Sequence, residues 1–101
     1  MLTVVAIAQA KPGKEKDLEE VLLELVAISR QEAGCITYDL HRHLAKPGRF
    51  VFYENWVNRA ALDQHRTEPQ AAGPRAKVGE LVAEPLQIEL YEMVSEQATK
   101  K

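Results

Sequence analysis

Residues 50–65 read FVFYENWVNRAALDQH. Phe50, Phe52, Glu54 and Trp56 alternate with Val51, Tyr53 and Asn55, the period of two that belongs to a strand. Asn58 is a good N-cap residue, and Ala60, Ala61 and Leu62 then favour a helix that runs toward His65. The stretch is therefore a strand-to-helix corner, and it holds the chain's one tryptophan, an acid two residues before it and a histidine nine residues after it. Glu54 and Trp56 point to the same side of the strand. Either this is ordinary corner packing, or Glu54, Trp56 and His65 line one pocket.

Upstream of the corner, residues 35–44 (CITYDLHRHL) and 49–57 (RFVFYENWV) form two strands around a short loop, Ala45 to Gly48. Two registers are open. If Leu44 faces Val51, His41 lies opposite Glu54 and Asp39 opposite Trp56. If Leu44 faces Phe50, Leu40 takes the place opposite Glu54 and the histidines turn to the other face. Residues 2–10 (LTVVAIAQA) are a further strand, stopped at Lys11-Pro12-Gly13. From Lys14 onward Leu18, Val21, Leu22, Leu25, Val26 and Ser29 recur at helical spacing, and Gly34 suits the chain reversal that follows. Residues 67–74 read as irregular, Pro74 as the opening of a helix to about Val82, and 86–94 (LQIELYEMV) as a half-exposed strand.

The order β-α-β-β-α-β, with right-handed crossovers, predicts an α+β ferredoxin-like sandwich: a four-stranded antiparallel sheet with its helices on one face. The opposite face keeps apolar residues that a small domain does not leave in water, so a homodimer packed sheet against sheet is expected. We expect one domain over 1–95 and a frayed tail over 96–101. The chain of 101 residues carries a net charge of −2, which provides no electrostatic footprint for nucleic acid. A single cysteine, Cys35, excludes an internal disulfide and suggests a reducing, cytoplasmic setting. The N-terminus reads as a strand rather than a signal peptide, and no apolar run suggests a membrane span.

Asp39, His41 and His43 share one side of their strand, but no fourth ligand accompanies them, and no metal is expected there. His65 is explained either by the helix dipole, which favours a cation near a C-terminus, or by a role as general base near neutral pH. Phosphate-binding loops and nucleophile elbows are absent from the sequence.

The segments Gly34-Cys35-Ile36-x-Tyr38, Arg49-Phe50-Val51-Phe52-Tyr53-Glu54-x-Trp56 and Ala61-Leu62-x-x-His65 resemble the antibiotic biosynthesis monooxygenase family, including its quinol monooxygenase members. The resemblance spans residues 2 to about 94. It implies ferredoxin-like chains paired into a dimeric α/β barrel, and oxidation of a small aromatic quinol, phenol or anthrone by O2 without flavin, haem or metal. On that footing His65 is expected as base and Trp56 as the wall on which a ring stacks, with Glu54, His41, Phe52 and Tyr38 around the substrate. The family's Ser-Pro-His-Phe-like segment is replaced here by Thr67-Glu68-Pro69-Gln70. Ala6 or Ala8 stands where the haem-degrading branch carries an asparagine on the first strand. The family also contains isomerases, so an isomerase or lyase of a small carbonyl compound remains open, as does a non-enzymatic binding or accessory domain.

Overall fold

The computed structural model describes residues 1–98. Its elements follow the order β1 (Leu2–Gln9), α1 (Glu15–Ser29), β2 (Cys35–Arg42), β3 (Arg49–Trp56), α2 (Arg59–Arg66), a single 3-10 turn (Pro69–Ala71), α3 (Ala72–Leu81) and β4 (Gln87–Glu92). The strands form one antiparallel sheet in the order β2-β3-β1-β4. This is the ferredoxin-like α+β arrangement, and one face of the sheet carries the core. Among the described residues no helix is long and apolar enough to cross a membrane.

The buried residues of α1 are Leu18, Val21, Leu22, Leu25, Val26 and Ser29, the stripe that its spacing predicts. They meet Val4, Ala6 and Ala8 of β1 and Phe50, Phe52 and Trp56 of β3 in one core. Gly34 sits at φ +84° in the turn after α1, a conformation that favours glycine.

The hairpin adopts neither of the two expected registers. Tyr38 lies opposite Glu54, Leu40 opposite Phe52 and His41 opposite Val51. The loop is longer than the sequence suggests because His43 leaves the strand. Its Nδ1 accepts hydrogen bonds from the backbone N–H groups of Ala45 and Lys46, both at 3.0 Å. A bulge between Cys35 and Thr37 shifts the pairing by one more residue at the start of β2, where Cys35 faces Trp56. Tyr38 and Leu40 therefore face the helices, while Asp39 and His41 face away from them.

Two further boundaries differ from expectation. Pro74 is the third residue of α3 rather than its first, a place it tolerates because N–H groups of the first helical turn have no intrahelical partner. Every residue of β4 is exposed, where a half-exposed strand was expected, because β4 is an edge strand that the helices only partly cover. Residues 93–98 carry no regular secondary structure, and the last three residues of the expected tail lie outside the described residues.

Candidate active site

Between the sheet and helices α2 and α3 lies a cavity of about 430 Å³. Its floor is Val4, Ala6, Phe52 and Glu54, Tyr38 and Leu25 stand at one side, and Leu62, His65, Val78 and Val82 close the roof. Ile88 of the edge strand and Arg66 and Arg75 complete the rim. The volume is that of ordinary small-molecule sites, and the lining is mostly apolar with a few convergent polar groups.

Glu54 is 4% exposed, and its Oε1 accepts a hydrogen bond of 3.0 Å from Trp56 Nε1. Burial pushes its pKa up to about 7, although the indole bond favours the charged form. Asn58 caps α2, its side chain accepting from the Ala61 N–H at 2.9 Å, and this sets the turn that directs His65 inward. The His65 ring stands 4.6 Å from the Trp56 ring and 5.5 Å from that of Tyr38, centroid to centroid. Burial lowers the His65 pKa to about 4, with Arg75 and Arg66 acting in the same sense. The imidazole is therefore neutral at pH 7. Tyr38 is pushed upward by burial and by Glu54, so its phenol stays protonated.

His65 Nδ1 lies 2.9 Å and 3.3 Å from the two carboxyl oxygens of Glu32. Glu32 belongs to the turn after α1, and its pKa is raised to about 7 by burial and by neighbouring Glu68, against the pull of Arg75. The guanidinium of Arg75 donates to the backbone carbonyls of His65 and Arg66, which ties the end of α2 to α3. Neutral His65, the Glu54 carboxyl and the Tyr38 and Phe52 rings thus meet in one mostly apolar cavity, with Glu32 behind His65 on the other side.

The structure brings together Glu54, Phe52, Tyr38 and His65 on the cavity surface. It places two expected site residues elsewhere. Trp56 does not line the cavity: wholly buried under α2, it stacks behind His65 and holds Glu54, so it supports the wall rather than forming it. His41 is exposed on the opposite face of the sheet, because the observed register puts Tyr38 beside Glu54. Asp39 pairs with Arg30 at 2.9 Å, and among the described residues no cluster of three metal-binding side chains occurs. Glu32, Arg66 and Arg75 join the site without having been expected there. The sequence signal for them is absent, since each is one charge among many on a polar stretch.

The chain is thus a four-stranded ferredoxin-like domain with a mostly apolar small-molecule cavity between sheet and helices, and sequence comparison defines the family. The antibiotic biosynthesis monooxygenase model matches residues 1–73, and the chain belongs to that family. Rv0793 of Mycobacterium tuberculosis is 34% identical over 87 residues, covering 86% of this chain and 85% of its own. Its solved structure superposes with a TM-score of 0.87 at 32% identity, covering 96% of this chain and 98% of that one. A solved antibiotic biosynthesis monooxygenase gives a TM-score of 0.88 at 33% identity, covering 94% and 100%. An uncharacterised protein of Synechocystis is 31% identical over 95% of this chain, which spans 65% of that relative's length.

Proposed function

We propose that the chain is a monooxygenase that oxidises a small aromatic phenol, quinol or anthrone with O2, drawing both electrons from the substrate. The observation that carries this reading is a neutral histidine set in an apolar chamber with aromatic walls. Ground-state oxygen is a triplet and reacts slowly with closed-shell molecules, but an electron-rich phenolate passes it one electron readily. The protein need only exclude water, remove a proton and hold the resulting anion. His65 is the base, Phe52 and Tyr38 flank the ring, and Trp56 fixes His65 and Glu54 from behind. The intermediate peroxide collapses to a carbonyl and water, so one oxygen atom enters the product and the other leaves as water. Family membership supports the reaction class.

Oxygen uptake with a panel of quinols and anthrones tests the reading, using chelated protein and ¹⁸O2. One labelled oxygen atom in the product is the expected result; no uptake with any member of the panel would exclude it. A second reading, proton transfer on a small carbonyl compound, is favoured by one observation: Glu54, near 7, supplies an acid opposite a neutral base. Solvent deuterium entering a ketone under anaerobic conditions would select it.

We also infer a homodimer. The sheet face away from the helices presents Val5, Ile7 and Val51, with Tyr53 38% and Tyr91 48% exposed. A second copy packed on this face would remove that apolar surface from water.

A further inference from the structure

We propose that Glu32 and His65 work as one base, in which His65 passes a proton from the cavity to Glu32 and later returns it. This rests on the reading of His65 as the base in the cavity. The two residues stand at a partition. His65 lines the apolar cavity, whereas Glu32 lines a separate groove of about 470 Å³ formed with Gln31, Gln64, Thr67 and Glu68. Only the Nδ1 side of the ring is taken by Glu32, at 2.9 Å. No hydrogen bond among the described residues occupies Nε2, which leaves it available on a ring that lines the cavity.

The surroundings select this division of labour. Arg66 on α2 and Arg75 on α3 oppose a charged imidazolium, as does burial among the rings of Trp56 and Tyr38. A proton that arrives at Nε2 is therefore disfavoured as long as Nδ1 keeps its own. Glu32 relieves this by accepting the Nδ1 proton, and the ring stays neutral throughout. Its carboxylate is tolerated because the groove is polar on that side, while burial first and Glu68 beside it, against the pull of Arg75, disfavour the charge enough for protonation near neutrality.

The steps balance. The substrate O–H bond breaks as Nε2–H forms, and Nδ1–H breaks as the Glu32 carboxyl forms; the negative charge moves from Glu32 to the substrate. After O2 adds, the peroxide anion takes the Nε2 proton and Glu32 returns its own to Nδ1. The dyad is then restored, and the peroxide loses water. Glu32 acts through His65 and never touches substrate.

The test is a pH titration of the full chain labelled with ¹⁵N-histidine, with His65 assigned by its loss in His65→Gln. Expected in the wild type is an Nδ1–H tautomer above pH 7 that converts to Nε2–H as the pH falls through about 7, the ring remaining neutral. Glu32→Gln should abolish this crossing, leaving Nδ1–H until imidazolium forms at lower pH. Conversion of the wild type straight to imidazolium, or a crossing that survives Glu32→Gln, would overturn the proposal. With any substrate that consumes oxygen, Glu32→Gln should lower kcat by roughly 10²-fold, the range for loss of a general base, with KM little changed; unaltered kcat would also overturn it. The titration needs no substrate. A tautomer crossing without oxygen uptake would leave the dyad standing and remove the monooxygenase reading, and uptake with an imidazolium would do the reverse.

Discussion

Glu54 is buried with one indole N–H for company, and its ionisation works against the fold. Its folded pKa, about 7, lies above the reference value of 4.5. Between these values the folded state binds more protons than the unfolded, so stability falls as pH rises across that window and levels off above it. Glu54→Gln keeps an oxygen for Trp56 Nε1 and removes the charge. Thermal unfolding at about pH 8 should show the variant melting above the wild type, with the difference vanishing near pH 5; an equal difference at both would exclude a titration effect. His65 contributes in the opposite sense: its pKa drops from 6.5 to about 4, so stability falls as pH decreases from 6.5 toward 4. The comparison of wild type and Glu54→Gln isolates the carboxyl from that opposing trend. At this scale the sequence was informative about Glu54 and His65, whose residue types are unusual for an inward face. It was silent about Glu32, because nothing in Gln31-Glu32-Ala33-Gly34 distinguishes a turn charge from a proton acceptor.

Helix α2 is short, and it holds its place by its ends. Asn58 satisfies the Ala61 N–H at its start, and Gly34 lets the turn after α1 pass close beneath it. A Cβ at Gly34 would come within 2.6 Å of the Ala61 Cβ and 2.9 Å of Val57 Cγ2. Gly34→Ala combines that clash with a left-handed backbone, at a cost of roughly 2 kcal/mol or more. Asn58→Ala should cost about 1 kcal/mol. Urea denaturation would check both, and a Gly34→Ala midpoint no lower than that of Asn58→Ala would contradict the packing described. Periodicity made α1 and the cap of α2 readable. It placed α3 only through Pro74, two residues past the observed start, because Val78 alone is buried and Gly73 and Gly79 weaken the helical pattern. The hairpin register was equally beyond it, since the loop is set by His43 accepting two backbone hydrogen bonds, which no alternation of strand residues encodes.

At the scale of the whole molecule, element order and amphipathic faces were sufficient to give the sheet and its helical layer. The enclosure of the cavity was not readable, because it depends on how α3 and the edge strand meet over β1. Sedimentation at micromolar concentration should give twice the chain mass, and Tyr53→Glu, on the open sheet face, should shift the species toward monomer without unfolding it. A wild-type monomer at every concentration would contradict the dimer. In the proposed reaction a neutral His65 acts as base in a mostly apolar cavity. Its most direct test is oxygen uptake by wild type and His65→Gln, measured on the same quinol or anthrone and paired with melting temperatures. Turnover lowered by roughly 10²-fold or more, with a nearly unchanged melting temperature, is the expected result. Turnover unchanged in a variant that melts earlier would make His65 a packing residue at the end of α2 and contradict it.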